Sequence, residues 1–380
     1  MFLRIYSQKK ILDLLQPNRV LIIYGPRRVG KTTLLGKFLK EYVGKYLLLS
    51  GEDVTLHDIF KDASIQKIKD YFGCYDLIVI DEAQKTEGIG QGLKLIVDHI
   101  PGIKVIATGS SSFDLAQDVG EPLTGRQTVI RMFPLSVLEL QSEWGGYGVS
   151  ARLENLLIYG SYPEALTIES LTDKISYLTT LVSSYLYKDI LELADVRSSK
   201  KIVDLLRLIA FQIGKEVSIT ELASNLDISK QTVERYLDLL EKTFVLINIR
   251  GFSRNLRKEV VKTSRYYFWD NGIRNAIIQN FNTLSLRDDI GVLWENFLVA
   301  ERIKTREYLS IHGNSYFWRT YDQKEIDLVE ERDGYLFGYE FKWSKNSGRA
   351  PKEWLKTYAN SSYTVINREN YISFLLGKEV

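Results

Sequence analysis

Eight consecutive residues, Gly25-Pro-Arg-Arg-Val-Gly30-Lys31-Thr32, fill every position of the pattern G-x-x-x-x-G-K-[ST]. Its glycines let the backbone bend so that successive N–H groups face one anion. Lys31 would reach the β- and γ-phosphates of a nucleotide, and the Thr32 hydroxyl would ligate Mg²⁺. Pro26, Arg27, Arg28, Val29 and Thr33 complete the cradle. The run before it, VLIIY, is strand-like and the run after it, TTLLGKFL, is helix-like. The helix N-terminus therefore adds its partial positive charge. ATP with Mg²⁺ is the expected ligand.

Further along, Asp76-Leu-Ile-Val-Ile-Asp81-Glu82 is an apolar strand ending in two carboxylates. Asp81 is expected in the Mg²⁺ shell and Glu82 beside the attacking water, which separates hydrolysis from mere binding. The strand IKVIAT then runs into Gly109-Ser110-Ser111-Ser112. Thr108 or Ser110 is the expected γ-phosphate sensor, on a strand placed between the other two; the alternative is a plain turn. Arg126, in Leu123-Thr-Gly-Arg126, is a candidate arginine finger acting in its own or a neighbouring subunit, with a solvated charge as the alternative.

A second constellation lies near the C-terminus. Glu295 falls on or beside the apolar stripe of a helical segment, Gly291–Glu301. Asp327 alternates in Glu325-Ile-Asp327-Leu-Val, and Glu340 and Lys342 are two apart in a strand-like run, hence on one face. Asp327 and Glu340 would hold Mg²⁺ or Mn²⁺ between strands joined by the RDGYLF turn. Lys342 would orient or activate water and stabilise charge on a scissile phosphate. This E…D…E-x-K arrangement resembles the core of PD-(D/E)XK nucleases; an inactive fold that binds DNA or a partner is the alternative.

Between the two lies a helix-turn-helix pattern. Ser218–Leu226 reads as one helix and Ser229–Leu240 as a second, capped by Ser229, with Val233, Tyr236, Leu237 and Leu240 on its apolar face. Lys230, Gln231, Thr232 and Arg235 would point outwards as recognition residues do, although Glu234 and Asp238 oppose phosphate attraction. From Asn248 to Arg265, Arg250, Arg254, Arg257, Lys258, Lys262 and Arg265 face only Glu259, as a basic wing between two strands would. DNA is the expected partner, and a protein-binding module is the alternative.

The elements that must position these residues follow from pattern. Residues 1–135 alternate apolar runs (Val20–Tyr24, Lys45–Ser50, Asp76–Asp81, Ile103–Thr108, Gln127–Arg131) with amphipathic stretches such as Thr32–Tyr42 and Gly92–His99. That alternation predicts an α/β fold with a parallel sheet. Changes of pattern near Gly145, Arg197 and Leu284 mark boundaries, and with the motifs above the expected domains are an ATPase core over 1–145, a helical lid over 146–197, a winged helix over 198–284 and a nuclease-like α/β domain over 285–380.

The chain's 380 residues are 45% hydrophobic, enough for several cores, so extensive disorder is excluded. A net charge of +2 makes any nucleic-acid footprint local. One cysteine, Cys74, excludes an internal disulfide framework and a cysteine zinc cluster, and His57, His99 and His312 lack ligand spacing. The start MFLRIYSQKK lacks a signal-peptide core and the apolar runs are too short to span a bilayer. A cytoplasmic protein with no membrane partner is expected.

Taken in order, GPRRVGKTTL, LIVIDEAQ, ATGSSS, LTGR, FPLS and Gly160-Ser-Tyr-Pro-Glu-Ala165-Leu resemble a family of archaeal and bacterial AAA-type ATPases. The resemblance implies a P-loop domain, a winged helix and a C-terminal PD-(D/E)XK nuclease-like domain, and makes a hexamer the expected homo-oligomer. Ser161 stands where family members usually carry a second glycine. The rival reading is a nucleotide-gated protein-interaction switch whose nuclease fold is inert.

Overall fold

The computed structural model describes residues 4–6, 8–62, 64–110, 123–186, 199–252, 264–320, 324–344 and 348–378. The chain divides into two compact units. One comprises Leu3–Phe133 with the distant stretch Lys242–Phe244, and the other comprises Pro134–Glu241 and Val245–Val380.

In the N-terminal unit every strand expected from an apolar run forms. They are β1 (Arg19–Tyr24), β2 (Tyr46–Ser50), β3 (Leu77–Asp81), β4 (Lys104–Gly109) and β5 (Gln127–Arg131). The sheet order is β2-β3-β4-β1-β5 and every pairing is parallel. Helices cover a parallel sheet on both faces, so its strands read as unbroken apolar runs; Leu77–Ile80 are all buried. The helix Lys31–Glu41 buries Leu34, Leu35, Phe38 and Leu39 at three- and four-residue spacing. Ile22, Ile80 and Val105 from the strands share a core with Phe60, Phe72 and Leu93 from the helices. Phe244 joins this unit through ring contacts with Tyr24 and Phe133, at 5.7 Å and 5.8 Å between centroids.

The second unit begins with helices, among them Val137–Ala151, Leu153–Tyr159 and Leu171–Thr180. Gly145, expected at a boundary, instead kinks the first of these with φ 68°, and the boundary expected near Arg197 lies outside the described residues. Next come the helices Ser199–Phe211, Ile219–Leu226 and Lys230–Lys242 with strands β6 (Glu216–Val217), β7 (Leu246–Gly251) and β8 (Ser264–Phe268). After the helix Ile290–Tyr308 follow β9 (Asn314–Arg319), β10 (Glu325–Arg332), β11 (Tyr335–Phe341) and β12 (Ser361–Ile366).

These seven strands form one sheet, in the order β12-β11-β10-β9-β7-β8-β6. The sheet crosses the boundary expected near Leu284, because β7 and β9 pair in parallel through Arg250 with Tyr316 and Gly251 with Phe317. Asp333 and Gly334, both with positive φ, make the tight turn between β10 and β11 that the DG pair anticipates.

The FPLS and GSYP motifs are structural. Ser136 and Glu139 form a capping box on the helix Val137–Ala151. The Ser161 amide donates to Asp270 at 2.7 Å, and a Cβ on Gly160 would stand 1.9 Å from the same carboxylate. Ser161 also donates its hydroxyl to Asp270 at 3.3 Å, which accounts for serine at this position. Glu301 accepts from the Val137 amide at 2.6 Å and from Lys304 at 2.7 Å. Burial raises the pKa of both Asp270 and Glu301 despite the Lys304 ammonium.

Candidate active sites

The phosphate loop leaves the C-terminal end of β1. A Cβ on Gly25 would meet the Met132 carbonyl oxygen at 1.9 Å, so only glycine lets the loop pass that close to the backbone after β5. Gly30, at φ 97°, turns the loop into the helix Lys31–Glu41. The Lys31 ammonium is buried and donates to the carbonyls of Gly25 (2.8 Å) and Pro26 (3.0 Å). The loop thus holds its cation at its own centre.

Asp81, at the end of β3, collects two hydroxyls. Thr32 donates to Oδ2 at 3.0 Å, and Thr108, on the intervening β4, donates to Oδ1. Hydroxyl and carboxylate oxygens are the donor set that a hard cation prefers, so Thr32 and Asp81 fit Mg²⁺. Glu82 has φ 52°, a strained conformation that ends the strand and turns the chain. Its amide donates to the Thr108 hydroxyl at 3.2 Å. Gln84, which the sequence reading passed over, donates Nε2 to Glu82 Oε2 at 2.6 Å and to Ser110 Oγ at 3.1 Å. Thr108 and Ser110 are both buried.

Arg126 is not with them. It immediately precedes Gln127, which pairs with Val20 at the opposite end of β1 from the loop. Five residues of strand, roughly 17 Å, separate the two ends. Its guanidinium pairs instead with Asp98 at 2.6 Å, so a finger role within its own subunit is corrected by topology. Arg131, paired with Tyr24 beside the loop, is the arginine at the phosphate end of β5 and donates to the Tyr24 hydroxyl at 2.9 Å. Strand register places it there, and no local motif announces it.

In the other unit, Lys230, Gln231 and Arg235 are exposed along the second helix of the expected pair, with Thr232 half-buried and bonded to Ser229. Arg250 is exposed at the end of β7. Arg254, Arg257, Lys258 and Lys262 lie outside the described residues. Arg265 departs from expectation. It is buried, ion-paired with Glu325 at 2.7 Å and stacked 4.4 Å from the Phe317 ring centre, so it presents no charge to solvent.

The C-terminal carboxylates converge electrostatically. Asp327 sits where the β9–β10 pairing slips register, a bulge that re-aims side chains. It accepts the Phe341 amide at 2.7 Å. Burial, with Glu295 and Glu340 nearby, holds its pKa well above the usual carboxylate range. Glu295 accepts the Tyr267 hydroxyl at 2.7 Å, and burial pushes its pKa up to about 7. Glu340 pairs through Oε1 with Lys342 at 2.6 Å, while its buried Oε2 has no hydrogen-bond partner among the described residues. Burial would lower the Lys342 pKa, but Glu340, Asp327 and Glu325 raise it above its ordinary value. Lys342 therefore suits charge stabilisation and water orientation better than proton abstraction. Glu340 Oε2 and the Asp327 carboxylate are hard oxygen donors of the kind Mg²⁺ and Mn²⁺ take. Among the described residues no group of three or more His, Cys, Asp or Glu is arranged to hold a metal.

Residues 17–141 match a family model described as AAA domain. The N-terminal unit is an AAA-type P-loop ATPase domain. Beyond the AAA domain, residues 150–284 and 290–375 match two models, each described as a domain of unknown function. An uncharacterized protein of Mycobacterium tuberculosis, Rv2008c, is 27% identical over 330 residues, which cover 85% of this chain and 70% of the relative. The uncharacterized protein MJ1544 of Methanocaldococcus jannaschii is 23% identical, covering 82% of this chain and 72% of its own. Among solved structures, the Walker-type ATPase PABY2304 of Pyrococcus abyssi superposes with a TM-score of 0.50 at 18% identity, over 73% of this chain and 96% of that one. That likeness is one of fold. Among the described residues no helix is long and apolar enough to cross a membrane.

Proposed function

We propose that the chain is a Mg²⁺-dependent ATP hydrolase whose nucleotide state governs engagement of DNA by a winged helix, next to a PD-(D/E)XK-type site that cuts DNA. The observation that carries this reading is Asp81 held between Thr32 and Thr108, with Glu82 immediately after it. Thr32 and Asp81 would hold Mg²⁺, which would supply charge neutralisation for the phosphates. Lys31 exchanges its loop carbonyls for phosphate oxygens, Ser110 or Thr108 reads the γ-phosphate, and Glu82 takes a proton from water.

The DNA arm of the proposal is supported by the exposed Lys230, Gln231 and Arg235 on one helix and Arg250 at the end of β7. The cleavage arm is supported by Asp327, Glu340 and Lys342, with Glu295 close enough to perturb Asp327. Mg²⁺ or Mn²⁺ would be held by Asp327 and Glu340, and Lys342 would offset charge on the scissile phosphate.

A rival reading, a nucleotide-gated protein-interaction switch with an inert nuclease fold, is favoured by the Lys342 ammonium, which at 2.6 Å from Glu340 Oε1 already neutralises a carboxylate that would bind the metal. ATP turnover measured with and without single-stranded, duplex and branched DNA separates the two. Stimulation by DNA supports the first reading, and turnover indifferent to all three supports the second.

A further inference from the structure

Gln84 occupies a position in the ATPase site that none of the phosphate-loop residues fills. Its side chain lies between the expected catalytic carboxylate and the expected γ-phosphate sensor, donating Nε2 to both Glu82 Oε2 (2.6 Å) and Ser110 Oγ (3.1 Å). An ionised carboxylate only accepts hydrogen bonds, so the amide must turn its nitrogen towards Glu82. Its oxygen, Oε1, is thereby committed to face elsewhere. That oxygen is buried and accepts no hydrogen bond from any described group. A buried acceptor left without a donor is costly, and such atoms mark places where a partner belongs.

A water poised to attack phosphorus has two O–H bonds to place and one lone pair to aim. A single carboxylate fixes one O–H and leaves the molecule free to rotate about it. A second acceptor beside the first removes that freedom and points the lone pair. We propose that Gln84 is that second acceptor: Glu82 and Gln84 Oε1 receive the two hydrogens of the attacking water, and the Gln84 amide nitrogen ties this pair to Ser110. The inference rests on the ATPase reading of this site.

In the step it serves, the water oxygen forms a bond to the γ-phosphorus. The bond from that phosphorus to the β–γ bridging oxygen breaks, and its electron pair leaves on ADP. One water proton passes to the Glu82 carboxylate and then to solvent, while the hydrogen held by Gln84 remains on the product phosphate. Gln84 exchanges no proton, so its contribution is orientation.

The test uses the full chain with Gln84→Met, which keeps length and packing but removes donor and acceptor, and Gln84→Ala beside it. Steady-state turnover is measured with Mg²⁺ and ATP, and nucleotide affinity with a fluorescent ADP analogue. The expected result is a kcat lowered about 10- to 100-fold in both variants, with KM for ATP and analogue affinity within about twofold of wild type. Wild-type turnover in Gln84→Met would overturn the proposal. Faster turnover would overturn it too, because Gln84 would then be a brake on Glu82. Loss of analogue binding together with turnover would assign the side chain to the fold of the site instead. A wild-type chain that binds nucleotide and hydrolyses none would refute the ATPase reading itself, and this proposal with it.

Discussion

Thr32 donates its hydroxyl to Asp81 at 3.0 Å although the strands that lead to them are not neighbours. β4 runs between β1 and β3 and contributes Thr108 to the other carboxylate oxygen. The strand order thus fixes three hydroxyl or carboxylate groups at the edge from which the phosphate loop springs. Asp81→Ala should therefore leave the sheet intact, since the site lies at its rim. It should also lower Mg²⁺-dependent turnover by on the order of 10²-fold or more. Far-ultraviolet circular dichroism alongside an ATPase assay checks both halves.

The buried Arg265 and the exposed Arg250 should behave differently when replaced. Arg265→Ala removes an ion pair with Glu325 and the stacking on Phe317. It should cost about 1–3 kcal/mol, visible as a lower Tm, with the salt dependence of DNA binding unchanged. Arg250→Ala should have little effect on Tm. It should lower the salt slope by up to about 0.9 per lost phosphate contact. Fluorescence anisotropy on duplex DNA at several salt concentrations, with thermal melts, distinguishes the two variants.

The Glu295 carboxyl gives a pH signature. Its folded pKa of about 7 lies above its ordinary value, so the native state binds that proton more tightly than the unfolded chain does. Its stabilisation is present below the ordinary carboxylate range and is lost as pH rises through about 7. With EDTA present, the Tm of the wild type should fall between pH 5 and pH 8 by several °C more than that of Glu295→Gln. Parallel curves for the two proteins would contradict the assignment.

Cleavage and hydrolysis should separate by mutation. Asp327→Ala and Lys342→Ala should abolish any Mg²⁺- or Mn²⁺-dependent cutting of linear and branched DNA. Both should keep ATP turnover within about twofold, because the carboxylates and the phosphate loop belong to different compact units. A wild type that neither cuts nor binds metal would favour the interaction switch.

Much of this was legible in the residues. A central parallel strand must be apolar throughout, so VLIIY and DLIVI announce themselves, and the spacing to Gly30-Lys31-Thr32 marks where the strand gives way to the loop and helix. What was not legible depends on long-range pairing. Arg126 and Arg131 look alike in sequence, and only the β1–β5 register shows which one is at the loop. Arg265 counted as a surface cation because charge does not reveal burial, yet its partner Glu325 is sixty residues away. The single seven-stranded sheet was hidden for the same reason, since a parallel pair between β7 and β9 leaves no local pattern.

ATP hydrolysis at this site would use Glu82 as its base. Turnover and bound nucleotide measured together in Glu82→Gln and Lys31→Ala test it most directly. Glu82→Gln should retain ATP while kcat falls by about 10²–10⁴-fold, and Lys31→Ala should lose nucleotide binding or turnover. Wild-type turnover in Glu82→Gln would contradict the account.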